Sequence, residues 1–197
     1  MLSFQLSYDY RCPFAKNLHL HVIEALRAGA DFDVTFVPWT MSQGYRASGA
    51  PDVWEDPSRD DELLALAVST SVRDLQPEHF LSVHEALFRA RHERAIRLVT
   101  GAEIRDALAT TTVEFGRIFD DLASRRPHKV IGECFREFER YEAFGVPTFV
   151  VNEDATFVRY MNPPRDPAAS ISLIESLVTL MSDESALNEF KHTKVSM

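Results

Sequence analysis

An α/β fold interrupted by an all-helical stretch is predicted by three features of the sequence. Leu2, Phe4, Leu6 and Tyr8 alternate with Ser3, Gln5 and Ser7, the period-two pattern of a strand. Phe14, Leu18, Val22 and Leu26 follow at helical spacing, then a second apolar run, Asp33-Val34-Thr35-Phe36-Val37. Strand character is then absent over residues 59–143, where apolar residues recur at helical spacing, and it returns at Val146-Pro147-Thr148-Phe149-Val150-Val151. The expected architecture is a βαβ half and a ββα half with a helical insertion between them, the βαβ crossover being right-handed.

The elements are justified in order as follows. The first helix stops at Ala28-Gly29, where glycine suits a C-terminal cap, and the second strand is closed by Pro38 and Trp39. From Met41 to Arg59 the pattern lapses under Gly44, Gly49, Pro51 and Pro57, so a loop with partial order is expected. In the insertion, Leu63, Leu64, Ala67 and Val68 mark one helix. Phe80, Val83, Leu87 and Ala90 mark a second, begun by Pro77-Glu78. Thr100 and Glu103 form a capping box for a third, with Ile104 and Leu108. Phe115, Ile118, Phe119 and Leu122 form a fourth stripe, ended near Arg125-Arg126-Pro127, and Val130, Ile131, Cys134, Phe135 and Phe138 form a fifth. Asn152-Glu153-Asp154 is the turn of a hairpin whose second strand is Thr156-Phe157-Val158-Arg159-Tyr160, broken by Asn162-Pro163-Pro164. Asp166 caps a last helix with Pro167 at its first position, and Ile171, Ile174, Val178 and Met181 face the core. The domain organisation expected is one domain over residues 1–181, with 59–143 as the helical insertion and 182–197 as a polar, frayed tail.

Composition narrows the function. Hydrophobic residues are 45% and charged residues 26% of the 197, enough for a packed core. A net charge of −9 argues against a nucleic-acid partner, which needs a basic face. No run reaches membrane-spanning length; the most apolar C-terminal segment is interrupted by Glu175, so no membrane role is expected. Met1-Leu2-Ser3-Phe4-Gln5 carries no basic n-region, and two cysteines make no disulfide scaffold, so a cytoplasmic location is expected. The acidic surface and helical insertion are compatible with a homodimer.

The stretch richest in chemistry is Tyr8-Asp9-Tyr10-Arg11-Cys12-Pro13-Phe14-Ala15. Its cysteine falls at a strand-to-helix turn. Unpaired N–H groups and the positive end of the helix dipole favour a thiolate there. Pro13 suits the first helical position, where a missing N–H costs nothing. The plainer alternative is a small buried residue at the end of a strand.

That turn, together with Phe144-Gly145-Val146-Pro147-Thr148-Phe149 and the order of elements around both, resembles the thioredoxin-like superfamily. More narrowly it is similar to the DsbA group, in the branch of FrnE-like oxidoreductases, 2-hydroxychromene-2-carboxylate isomerases and kappa-class glutathione transferases. The resemblance covers Leu2 to about Met181. It implies a thioredoxin-like fold, Cys12 as nucleophile with Pro13 beside it, and Pro147 in cis. The backbone at Val146 and Thr148 would face the sulfur and pair with an extended substrate or thiol. From the residues alone, Val146-Pro147-Thr148 is equally a proline at the start of an edge strand.

One departure matters most. Where disulfide oxidoreductases of this group carry Cys-x-x-Cys, the fourth position here is Ala15. The expected activity is therefore thiol–disulfide exchange through a single cysteine. The substrate would be a mixed or protein disulfide and the co-substrate a low-molecular-weight thiol such as glutathione, with no tightly bound cofactor. In the isomerase and transferase relatives the position of Cys12 is commonly serine. A thiol-dependent isomerase or transferase acting on an aromatic substrate is thus the second reading, and a non-enzymatic peptide-binding or chaperone-like protein the third. Cys134 is expected to pack on the apolar face of its helix. The histidines show no metal-binding spacing, and His19 lies too far along the helix for proton transfer to Cys12. Arg11 either adds positive charge beside the thiol or is an exposed loop arginine. Tyr10, Phe14 and Trp39 either line the mouth of a groove or pack into the core.

Overall fold

The computed structural model describes residues 1–192; of the expected polar tail, residues 193–197 lie outside the described residues. The chain forms two compact units. The first comprises Met1–Tyr8, Cys12–Val37 and the chain from Arg140 on; the second comprises Asp9–Arg11 and Pro38–Glu139.

The first unit is an α/β layer structure. Strands β1 (Leu2–Tyr8), β2 (Phe32–Pro38), β3 (Thr148–Val151) and β4 (Asp154–Phe157) form one sheet in the order β2-β1-β3-β4. β1 and β3 are antiparallel with Leu6 opposite Phe149; β3 and β4 are antiparallel with Thr148 opposite Phe157. Helices α1 (Pro13–Arg27) and α8 (Pro167–Asp183) pack on each other, and α8 touches β1 and β3. Leu6, Leu18, Phe149 and Ile174 are fully buried in this core. α1 ends where Gly29 takes φ +84°, a left-handed conformation that a Cβ disfavours. α8 begins where Asp166 accepts a hydrogen bond from the Ala169 N–H at 2.8 Å, a cap that contributes about 1 kcal/mol.

Two features depart from the strand pattern. Ser7, placed by alternation on the polar face, is buried, and its hydroxyl accepts the Thr148 N–H at 2.9 Å. The hairpin's turn is tighter than expected: Asn152 and Glu153 both turn left-handed (φ 50° and 69°), so the second strand starts at Asp154, within the expected turn, and it ends at Phe157 rather than Tyr160.

The second unit is helical. α2 (Met41–Gly44) gives order inside the stretch expected as a loop; Thr40 caps it by accepting the Ser42 N–H at 3.2 Å. Then come α3 (Asp60–Leu75), α4 (Phe80–Glu93), α5 (Gly101–Ala107), α6 (Phe115–Ala123) and α7 (Arg126–Glu139). The Thr100–Glu103 capping box is present at α5. α6 ends at Ala123 and the chain turns left-handed at Arg125 (φ 60°), by the expected boundary at Arg125-Arg126-Pro127; Pro127 itself sits in the first turn of α7, where a proline loses no hydrogen bond. α3 is the hub, packing against α4, α6 and α7. Trp54 and Trp39 lie against Phe135 of α7 with ring centroids 5.4 and 5.0 Å away. Among the described residues no helix is long and apolar enough to cross a membrane.

His19 is wholly buried in the first unit, with Nε2 donating to the Ser7 carbonyl at 3.1 Å. Burial pushes its pKa down from 6.5 to about 3, against the pull of that carbonyl. Between these two values the unfolded chain binds a proton that the folded one refuses, so stability must fall as pH drops through this window. Replacing His19 with Gln keeps an N–H donor and removes the titration. Urea midpoints of the wild type should fall more steeply than those of His19→Gln between about pH 6.5 and 3, by a difference on the order of a few kcal/mol. Parallel curves would show that His19 does not couple to folding.

Candidate active site

In the first unit, β1 ends at Tyr8 and α1 begins at Pro13, which leaves Cys12 as the residue that caps the helix. Its backbone is extended (φ −89°, ψ 118°), and its carbonyl accepts the first helical bond from the Lys16 N–H at 3.1 Å. The thiol makes no bond to the helix's own N–H groups. It turns instead to the loop before β3 and donates to the Val146 carbonyl, with Sγ and oxygen 3.2 Å apart. The Val146–Pro147 peptide bond is cis.

The loop holding that carbonyl is fastened on both sides. The Thr148 N–H goes to Ser7 Oγ, the Thr148 hydroxyl donates to the Gly145 carbonyl at 2.8 Å, and the Pro147 carbonyl accepts the Val158 N–H at 3.1 Å. Val146, Pro147 and Thr148 are all buried. Phe157 lies against Gly145, where an added Cβ would come within 3.2 Å of its ring. Cys12 keeps only 7% of its surface exposed, while Pro13 next to it is open to solvent and Phe144 is 77% exposed. Phe14 is half-buried under the Arg159 guanidinium, 5.5 Å from its ring centre. Ala15 is fully buried. The structure thus brings Cys12, Val146, Pro147 and Thr148 together.

Tyr10, Arg11 and Trp39 belong to the second unit. Tyr10 and Trp39, considered for the mouth of a groove, are buried there. The Tyr10 hydroxyl pairs with His84 Nδ1 at 2.7 Å, and its ring packs 4.7 Å from Phe88. His92 Nε2 reaches the Tyr10 carbonyl at 2.8 Å. Trp39 stacks on Phe135, and its indole N–H finds no hydrogen-bond partner among the described residues.

Arg11 is not a free cation. Asp9 accepts its backbone N–H at 2.9 Å and its Nε at 3.0 Å, pairs with Nη2, and also takes the Met41 N–H at 3.0 Å. Nη1 donates to Ser42 Oγ at 2.7 Å. Burial works against the Arg11 charge, and the bonds and charge of Asp9 outweigh it, so Arg11 titrates above its ordinary range. Ser42 donates in turn to Glu62. The paired Arg59 holds Glu62 down at about 2 against its partial burial, with help from Ser42. Asp9 escaped the sequence reading, although its spacing from Arg11 across the turn was the available signal. Cys134 is half-buried on α7; burial pushes its thiol up, against the pull of Arg73.

No protein-family model and no curated protein matches this sequence. Solved structures do match its fold. The cytosolic disulfide reductase DsbM from Pseudomonas aeruginosa with GSH superposes with a TM-score of 0.64 at 15% identity, covering 91% of this chain and 100% of that one. ScsC from Proteus mirabilis gives 0.62 at 17% identity, covering 94% and 85%, and DsbA from Pseudomonas aeruginosa gives 0.60 at 19%, covering 95% and 86%. The chain therefore has the thioredoxin-like fold of the DsbA-type oxidoreductases, with a helical insertion.

The Asp9–Arg11 pair gives a stability test. Asp9 is 2% exposed and Arg11 30%. Arg11→Ala takes the countercharge and both guanidinium bonds from a buried carboxylate, leaving it the backbone donors of position 11 and Met41, and should cost about 3 kcal/mol, whereas Asp9→Ala leaves a cation that can turn to water and should cost less, about 2 kcal/mol. Urea denaturation of both variants checks the order; equal losses would mean that burial of the carboxylate does not decide the cost.

Proposed function

We propose that this chain is an intracellular thiol–disulfide oxidoreductase that works through Cys12 alone. The observation that carries the reading is the sulfur at the start of α1, 3.2 Å from the Val146 carbonyl, with Ala15 where a second thiol would stand. Peptide N–H groups at a helix start favour negative charge, so a sulfur there is suited to attack. With Ala15 buried one turn on, no internal disulfide forms at this position, and a second molecule must resolve the intermediate.

In the proposed cycle, Cys12 loses its proton to solvent and attacks one sulfur of a substrate disulfide. A bond forms between Cys12 and that sulfur while the substrate's S–S bond breaks, and the other sulfur leaves as a thiolate. A low-molecular-weight thiolate then attacks the mixed disulfide, frees Cys12 and carries the acquired sulfur away. When the substrate is a protein–glutathione mixed disulfide and the resolving thiol is glutathione, the protein leaves as its thiol, and the substrate's glutathionyl group joins one incoming glutathione as glutathione disulfide. The glutathione-bound, cytosolic disulfide reductase among the structural neighbours supports a small thiol as co-substrate and an intracellular setting. Pro13 and Pro147 frame the sulfur. The docking edge is the backbone at Val146 and Thr148, and exposed Phe144 and half-buried Phe14 flank the approach.

Intact-mass analysis after incubation with glutathione disulfide tests this. The wild type and Cys134→Ser should each gain one glutathionyl group, removed again by reduced glutathione, and Cys12→Ser should gain none. Modification of Cys134 alone would overturn the assignment. Thiol-dependent turnover of an aromatic substrate retained in Cys12→Ser would replace it with the isomerase or transferase reading.

A further inference from the structure

We propose that a cavity inside the second unit binds a small aminodicarboxylate, that is, a free acidic α-amino acid. The cavity measures about 200 Å³ and is lined by residues of the Asp9–Arg11 turn, α3, the end of α4 and the segment before α5. At about 30 Å³ of liquid volume per water-sized group it has room for about seven such groups, the scale of a small metabolite's polar end, and it is smaller than the roughly 300–1,000 Å³ of a drug-sized pocket.

Charge selects the ligand. Three of the six charged residues around the cavity are already compensated: Asp9 and Arg11 pair with each other, and Glu62 pairs with Arg59. The other three are Arg91, Arg97 and Asp61, none of which makes a hydrogen bond or ion pair among the described residues. Arg97 acts on Glu103 only through its charge. Arg91 is half-buried, Arg97 and Asp61 stand exposed, and Leu66 and Leu98 are buried apolar lining. Two guanidinium groups and one carboxylate call for two carboxylates and one ammonium. Guanidinium binds carboxylate through paired N–H groups, and Asp61 accepts from the ammonium.

The segment that carries Arg97 is held in a conformation side chains disfavour. Ala95 and Leu98 are both left-handed, at φ 56° and 64°, although neither is glycine. Leu98 is nonetheless 2% exposed, so packing holds the segment in that shape where it borders the cavity. None of these residues takes part in the chemistry proposed for Cys12, and the two assignments stand or fall separately.

Calorimetric titration of the full chain with L-glutamate, L-aspartate and succinate tests the site. Saturable binding of an amino acid is expected, with succinate weaker because it lacks the ammonium. Arg91→Ala and Arg97→Ala should each weaken amino-acid binding by about tenfold, a loss of about 1.4 kcal/mol. Asp61→Asn should bring L-glutamate and succinate closer together, and Cys12→Ser should bind as the wild type does. Because Arg91, Arg97 and Asp61 make no hydrogen bond or ion pair among the described residues, and only the exposed charge of Arg97 on Glu103 and of Asp61 at the start of α3 is lost, the variants should unfold close to the wild-type midpoint. The proposal is overturned by an absence of saturable binding to all three compounds, by an unchanged affinity in the double arginine variant, or by succinate binding as tightly as the amino acids.

Discussion

The first unit depends on how the end of β1 meets the loop before β3. Two neighbouring points of the chain hold that loop: the Ser7 hydroxyl accepts the Thr148 N–H, and the Cys12 thiol donates a hydrogen bond to the Val146 carbonyl. Between them lies the cis Val146–Pro147 bond. Proline has no N–H, so the loop has one donor fewer to satisfy; the Val146 carbonyl meets Cys12, the Pro147 carbonyl meets the Val158 N–H, the Thr148 N–H meets Ser7, and the Thr148 hydroxyl closes on the Gly145 carbonyl within the loop. Without these bonds the loop would leave backbone carbonyls buried and unpaired, which costs more than the bonds themselves contribute. The Cys12 sulfur is thus one of the groups that close the loop.

The second unit solves a different problem, the burial of charge. Asp9 is almost sealed from water, yet four donors meet it: the Arg11 backbone, two nitrogens of the Arg11 guanidinium and the Met41 backbone. Such a carboxylate is tolerable only because the pairing is nearly complete. Ser42 extends the chain to Glu62 and Arg59, so a single polar network joins the Asp9–Arg11 turn to α2 and α3. Tyr10, between the two charged residues, is bound through its hydroxyl to His84 and through its carbonyl to His92. Three consecutive residues thus enter the helical unit with every one of them fastened.

What could be read in the sequence was what local physics decides. The alternation of β1, the proline and cap at the start of α8 and the Thr100–Glu103 box each involve residues a few positions apart, and each sits where the spacing put it. Ser7, Tyr10 and Trp39 could not be placed this way, because their partners lie far off in the chain. Tyr10 and His84 are 74 residues apart, and Ser7 and Thr148 are 141 apart. Pro127 shows a subtler limit. A proline marks a helix boundary without saying on which side, and here the left-handed turn of Arg125 had already made the reversal.

The same limit explains why the cationic residues divided as they did. A lone arginine beside a cysteine reads as an activating charge, but charge acts at a distance only when it is not neutralised nearby. With Asp9 at hydrogen-bond distance, Arg11 presents the field of a dipole, which falls off faster than that of a charge. In the first unit the peptide N–H groups that open α1 receive no side-chain cap bond from Cys12, and their direction, set by the backbone, favours negative charge at a helix start. Arg91 and Arg97, unremarkable in the sequence, are the arginines around the second unit's cavity whose charge is not matched by a hydrogen-bonded carboxylate among the described residues. Which arginines keep an unmatched charge is decided by their carboxylate neighbours: Asp9 takes Arg11 and Glu62 takes Arg59, each pair a few residues apart in the chain, and the fold then sets these pairs beside Arg91 and Arg97 around one cavity.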